Sequence, residues 1–387
     1  MNIKELDSRY IANTYARFPI TLKSGKGSLV LDDEGKEYID LGTGIAVNTF
    51  GFSDPLWVRA VTEQLNSLQH TSNLYYSEPC AKLAEILCLR TGMKKVFFSN
   101  SGAEANECAI KVARKYACEK KGEDCYKIIT LINSFHGRTI TTLAATGQEV
   151  FHKDFLPLTD GFVYLPANDL KALEETVKSE KIAAIMFETV QGEGGVLPLS
   201  KEFVSKIFEL SKKYGILTIA DEVQTGNGRT GELYGYMNYS VTPDIVSTAK
   251  GLGGGLPLGA TLLGEKVQDV LTPSSHGSTF GGNPVACAGA INIINRIDRK
   301  LLDEVREKSE YIIKTLENAK GVKSVSGLGL MLGVETEKDA GEVITDCREK
   351  GVLVIKAKNK VRLLPALNIP TELLKKAINI IVEVLGE

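Results

Sequence analysis

The run DIVSTAKGLGGGLPLGA, Asp244 to Ala260, places one lysine between an apolar, β-branched segment and a glycine-rich loop. A lysine amine attacks aldehydes well only once its pKa is lowered, and burial at the end of a strand is one way to lower it. Lys250 is therefore a candidate nucleophile rather than a plain surface lysine. A second strand-like run, GILTIAD, ends in Asp221. A carboxylate in that place can hold a proton on a pyridine nitrogen; alone, it could equally ligate a metal or cap a helix. Together the two residues match the equipment expected for pyridoxal 5'-phosphate (PLP), a lysine for the Schiff base and an acid that keeps the pyridine ring electron-poor.

Three further stretches surround this pair. In DEVQTG, Gln224 can donate to the phenolic oxygen of the same ring, or lie as an exposed polar residue in a loop. In SNSGAEANE, Ser101, Gly102 and Ala103 stand at a turn that opens into a long helix. Free N–H groups and the positive end of the helix dipole suit a phosphate dianion there. A plain cap with Glu104 or Glu107 in the first turn is the competing reading. In NSFHGRTI, Phe135 can stack on a ring or belong to the core, and Arg138 can fork a carboxylate or form a structural salt bridge. Neither GLGGGL nor GLGLMLG completes GxGxxG, and GxxxxGK[ST] does not occur, so a dinucleotide fingerprint and a P-loop are both excluded.

These residues need a scaffold that brings strand ends together. KIITLINSF, KIAAIMFETV, GILTIADEV and DIVSTAK are short apolar runs typical of parallel strands buried on both faces. Helical segments such as 201–214 lie between some of them, and KKVFFSNSGAEANECAIKVARKYACEKKG reads as strand, turn and long helix with Gly122 as its stop. The alternation predicts an α/β fold with a mainly parallel sheet. Ligands of such sheets sit beyond the carboxyl ends of the strands, where Asn100, Ser101, Phe135, Glu188, Asp221 and Lys250 all fall. GSLVLDDEGKEYIDL reads as a hairpin, GIAVNTFGF as irregular, and 55–68 as a helix. After about Asn283 a long helical stretch, 284–319, leads into a smaller α+β region. The expected division is an N-terminal segment 1–47, a large domain 48–283 and a small C-terminal domain 284–387.

The 387 residues suffice for this plan with a sizeable core. A net charge of −2 gives no basic footprint for nucleic acid and no polybasic membrane signal. The charged N-terminus lacks the apolar region of a secretory signal, and no apolar run approaches the roughly 20 residues of a membrane span. Seven cysteines at irregular spacing, with no CxxC, point to free thiols in a reducing cytoplasm. The four histidines are scattered, so no metal site is expected.

Taken in order, SGAEANE, SFHGRT, ETVQGEGGV, IADEVQTGNGRTG, STAKGLGGGLPLGA and GSTFGGNP resemble the class III, ω-amino-acid type of PLP-dependent aminotransferase over nearly the whole chain. GIAVNTFG, HTSNLYYSEP and VRLLPALNI are most similar to the acetylornithine branch of that class. The resemblance implies fold-type I, a large PLP domain with a smaller C-terminal domain, and a homodimer with shared active sites. It implies that Lys250 carries the Schiff base, Asp221 pairs with the pyridine nitrogen, Gln224 lies near the phenolic oxygen and Phe135 stacks on the ring. Ser101, Gly102 and Ala103 would hold the phosphate, and Thr279 would reach the phosphate of the partner's cofactor. Substrate contacts would come from Arg138, Glu193, Ser278 and Arg362. The implied reaction moves the δ-amino group of N2-acetylornithine to 2-oxoglutarate. Succinyl-diaminopimelate, ornithine or 4-aminobutyrate are the alternative donors, to be discriminated by pocket residues around Val47, Asn48 and Tyr75. A non-enzymatic binding protein on the same fold would not need Lys250 and Asp221, and both are present.

Overall fold

The structure, a computed structural model, describes residues 2–387. Its centre is a seven-stranded sheet in the order Lys95–Ser99, Gly259–Leu263, Ile245–Thr248, Leu217–Asp221, Ile182–Phe187, Lys127–Leu131 and Phe162–Leu165. Gly259–Leu263 alone runs against the others, pairing antiparallel with both neighbours. The remaining pairs are parallel. Every residue of Ile182–Phe187 and of Leu217–Asp221 is buried.

Strand periodicity explains that burial. Successive side chains point to opposite faces, so Ile185 and Phe187 enter one apolar core while Ala184 and Met186 enter another. Helix Gly102–Lys121 covers the second face with Cys108, Ala109, Val112 and Ala113. Its small side chains let it lie close to the strands. Helix Lys201–Tyr214 joins the first core through Phe203, Val204, Ile207 and Leu210. With helices on both faces, the open edge of the sheet is the row of carboxyl ends at Ser99, Leu131, Phe187, Asp221 and Thr248.

The hairpin read from GSLVLDDEGKEYIDL is present as Leu29–Asp32 against Glu37–Asp40. Its second strand also pairs in parallel with Val352–Leu353, which ties the beginning of the chain to its C-terminal part. The expected irregular stretch after it is a single helical turn, Thr43–Ala46. Thr43, Gly44, Ile45 and Ala46 all have φ between 47° and 64°. Three non-glycine residues in the left-handed region are strained, and Asp40 holds the turn by accepting from the backbone N–H groups of Gly42 (2.8 Å) and Thr43 (3.0 Å).

The stretch 284–319 is not one helix. It forms Pro284–Arg296 and Arg299–Glu317, with Asp298 capping the second by accepting from the Leu301 N–H at 2.9 Å. An N-cap aspartate starts a helix as surely as glycine ends one, and an apolar pattern read across it conceals the break. The first of these helices packs on Pro55–Ser67 and Glu78–Thr91. The second packs on Val322–Leu328 of a four-stranded antiparallel sheet that also holds Met331–Thr336, Lys360–Leu363 and Ile355–Ala357. Among the described residues no helix is long and apolar enough to cross a membrane.

Candidate active site

Lys250 follows the strand Ile245–Thr248 and opens a short 3-10 turn, Lys250–Leu252. Its φ is +46°, a left-handed backbone in a residue with a Cβ, which marks stored strain. The glycines behind it let the loop fold back tightly. At Gly254, with φ +61°, a Cβ would lie 2.2 Å from Ile293 Cδ1. The lysine faces a cavity of about 470 Å³ lined by Asn100 to Ala103, Phe135 to Arg138, Glu188, Asp221, Gln224 and the loop from Gly255 to Leu258. Burial is the main reason the amine is pulled down to about 8; Glu193 opposes this, Arg362 reinforces it, and Asp221 and Glu188 oppose it.

Asp221 is 3% exposed at the end of its strand. Its Oδ2 accepts from Asn106 Nδ2 at 2.8 Å and lies 2.7 Å from His136 Nδ1. Its Oδ1 accepts from the Val223 N–H at 3.1 Å. His136 Nε2 and Asn106 Oδ1 are buried without partners among the described residues. His136 Nδ1 against a carboxylate with Nε2 bare is the arrangement that fixes a tautomer and steadies the carboxylate. Glu188, which also lines the cavity, accepts from the N–H groups of Phe135 (2.9 Å) and Gly192 (3.2 Å). Burial pushes its carboxyl up to about 7, with His136 opposing and Asp221 adding to the shift.

At the other end of the cavity stands the N-terminus of helix Gly102–Lys121. Ser101 is its cap: Oγ accepts from the Glu104 N–H at 3.2 Å and donates to Glu104 Oε2 at 2.9 Å. The cap reading of this serine thus holds. The first-turn N–H groups of Gly102 and Ala103 have no intrahelical acceptor and no other protein partner among the described residues. Glycine is required at 102, where a Cβ would come within 2.6 Å of Val223 Cγ1. The cavity therefore offers two free donors on a helix dipole at one end, a buried carboxylate at the other, and an amine and an aromatic face between them.

Two arginines are held differently. Arg362, on strand Lys360–Leu363, is 2% exposed and pairs with Glu193 Oε1 at 2.7 Å. The same nitrogen donates to Gln224 Oε1 at 2.9 Å, and Gln224 Nε2 reaches Glu193 at 3.4 Å. Burial alone would raise the Glu193 carboxyl, but Arg362, with Lys250 and Gln224 adding to it, holds the group below the usual range. Arg138 is exposed on the cavity rim. No carboxylate and no hydrogen bond engages it among the described residues; it lies over the rings of Phe135 and Phe151.

Lys250, Asp221, Gln224, Phe135, Arg138, Ser101, Gly102 and Ala103 thus line one cavity. Glu193 and Arg362 reach it through Gln224 and through their charge on Lys250. Ser278 bonds to Asn100 Nδ2 at 3.1 Å without lining the cavity, and Thr279 is exposed away from it. Val47 lines the cavity, whereas Asn48 and Tyr75 do not. Reading by sequence passed over Asn106 and His136 as partners of Asp221. The signal for His136 was its place between Phe135 and Gly137 at a strand end; Asn106 gave none, being one polar residue on an alanine-rich helix.

The model of the family described as aminotransferase class-III matches residues 10–385. An acetylornithine aminotransferase of Haemophilus ducreyi is 50% identical over 387 residues, covering 100% of this chain and 98% of that protein. Among solved structures, an N-acetylornithine aminotransferase from Stenotrophomonas maltophilia superposes with a TM-score of 0.85 at 35% identity, over 99% of this chain and 98% of that one. An ornithine aminotransferase from Toxoplasma gondii, reported with partial occupancy of PLP at its active site, superposes with a TM-score of 0.94 at 32% identity, over 99% and 93%. With the match spanning almost every residue, the chain belongs to the class-III aminotransferases.

Proposed function

We propose that this chain is a PLP-dependent aminotransferase that moves the δ-amino group of N2-acetyl-L-ornithine to 2-oxoglutarate, giving N-acetyl-L-glutamate 5-semialdehyde and glutamate. The reading rests on one observation above the others: the lysine of lowered pKa and the buried Asp221 face one cavity with a free helix N-terminus. The donor set fits PLP. Gly102 and Ala103 would hold its phosphate, Asp221 its ring nitrogen, Gln224 its phenolic oxygen and Phe135 a ring face. Bound there, PLP supplies an aldehyde that accepts amino groups and a ring that takes up electrons when a neighbouring C–H proton leaves. The acetylornithine enzymes of Haemophilus ducreyi and Stenotrophomonas maltophilia support the choice of donor.

The chain's own residues divide the work. Lys250 Nζ takes the proton from the amine-bearing carbon of the substrate and, once protonated, serves as the acid. His136 and Asn106 hold Asp221 in place, and Asp221 keeps the proton on the ring nitrogen. Arg138 takes the carboxylate remote from the reacting amine, present in both acetylornithine and glutamate. Arg362 takes the carboxylate beside the reacting carbon, which only glutamate has, and Glu193 neutralises Arg362 when acetylornithine is bound. Exposed Leu74, Tyr75, Tyr76 and Phe280 give an apolar surface suited to a second copy of the chain, and Thr279 would serve that copy's site.

The role of Glu193 has a direct test. In Glu193→Ala the half-reaction with acetylornithine should slow by about 10- to 100-fold, because a desolvated, unpaired guanidinium would face its amine side chain. The half-reaction with glutamate should change far less. Stopped-flow measurement of both half-reactions checks this, and equal losses would contradict it.

The lysine predicts a pH dependence. Burial pulls its amine down to about 8 in the folded, cofactor-free chain, from the usual 10.5 of a lysine. Uptake of added PLP should therefore speed up with pH and level off above about pH 8. A rate still climbing toward pH 10 would mean an ordinary lysine. Between about 8 and 10.5 the unfolded chain binds the proton that the folded chain has lost, so this group's contribution to stability rises with pH across that window.

A further inference from the structure

Arg138 stands on the cavity rim and Arg362 behind Gln224, and the two have opposite support. Arg362 is neutralised by Glu193, whereas Arg138 has only aromatic faces beneath it. Its guanidinium carbon lies 5.1 Å from the Phe135 centroid and 5.7 Å from that of Phe151. The two rings meet edge to face, 5.6 Å apart at 71°. Phe135 belongs to the loop that also carries Arg138. Phe151 comes from elsewhere, closing the short 3-10 turn Glu149–Phe151.

That turn is fixed at both ends. Gln148 Nε2 donates to the Ser134 carbonyl at 3.0 Å, and His152 Nε2 lies 2.9 Å from the Leu143 carbonyl oxygen. Phe151 is thus a fixed wall rather than a passing contact. Aromatic faces steady a cation without cancelling its charge or occupying its N–H donors. A carboxylate in the same place would do both, and would compete with the substrate.

We propose that Phe151 is a positioning residue for substrate recognition: it holds the Arg138 guanidinium against Phe135 in one pose, charged and with its donors free, ready for the remote carboxylate of either substrate. This rests on the assignment of Arg138 to that carboxylate. It also accounts for the different support of the two arginines. A remote carboxylate is present in both half-reactions, so Arg138 needs no internal carboxylate to neutralise it in either, whereas Arg362 does.

The test is a double-mutant cycle in the PLP-loaded enzyme, with Phe151→Leu, Phe151→Tyr, Arg138→Ala and the Phe151→Leu/Arg138→Ala pair. Calorimetric affinity for glutarate, an unreactive dicarboxylate, is read beside KM and kcat for acetylornithine and 2-oxoglutarate. Phe151→Leu should weaken glutarate and raise both KM values by about fivefold, with kcat within about twofold. Phe151→Tyr, which keeps the ring, should restore most of that loss. Placed on Arg138→Ala, Phe151→Leu should have no further effect. A loss confined to kcat, or one that persists in full without Arg138, would overturn the proposal. If Arg138→Ala itself leaves glutarate affinity unchanged, the carboxylate assignment falls, and the role of Phe151 with it.

Discussion

Lys250→Ala should lower transamination by at least about 10⁴-fold, while the chain still folds and still binds PLP without a covalent link. Two functions disappear together. With its pKa lowered to about 8, roughly a tenth of the amine lining the cavity is uncharged at pH 7, a few hundredfold more than for an ordinary lysine. The same nitrogen is the base and acid of the proton transfer, and removing such a group alone costs about 10²- to 10⁴-fold. The fold should tolerate the change, because the charged form of this lysine is destabilised where it sits. The thermal midpoint of the cofactor-free variant should therefore not fall below that of the parent. Retained turnover, or a variant that no longer binds PLP at all, would contradict the assignment.

Asp221→Ala should reduce kcat by about 10³-fold and weaken PLP retention, the size of loss expected when a buried group that stabilises developing charge is removed. The carboxylate is surrounded by donors: Asn106, His136 and the Val223 N–H converge on it within 3.1 Å. Deleting it leaves those donors buried and unpaired, at about 1–3 kcal/mol for each group, so the variant should also melt earlier. Asp221→Asn separates the two effects. It keeps the shape and most of the hydrogen bonds, and so should recover stability while leaving turnover low. Turnover and melting temperature that recover together would assign Asp221 to the fold alone. The quantities to measure are kcat, the PLP dissociation constant and the melting temperature of both variants.

The sequence made the scaffold readable where local chemistry decides structure. Apolar β-branched runs announced the buried strands ending at Phe187, Asp221 and Thr248, and the serine-glycine turn announced the helix that begins at Gly102. Lys250 and Asp221 could be singled out because each terminates such a run. What stayed hidden depends on contacts between distant elements. Asn106 bonds to Asp221 across 115 positions, and Gln224 meets Arg362 across 138. Phe151 belongs to a turn with no strand or helix signal of its own. The resemblance points to Glu193 and Arg362 as substrate contacts, but no spacing rule pairs a residue of a glycine-rich loop with one on a strand so far along the chain. The break at Asp298 was missed because apolar periodicity continues on both sides of it.

The most direct test of the function is a single-turnover titration of the purified PLP-loaded enzyme. Its near-visible cofactor band is followed while N2-acetylornithine, ornithine, 4-aminobutyrate or succinyl-diaminopimelate is added without any keto acid. Loss of the band should be fastest with acetylornithine, and 2-oxoglutarate should restore it. A band that acetylornithine leaves unchanged while another amine bleaches it would contradict the proposed donor, and a protein that forms no such band after PLP is added would contradict the role given to Lys250.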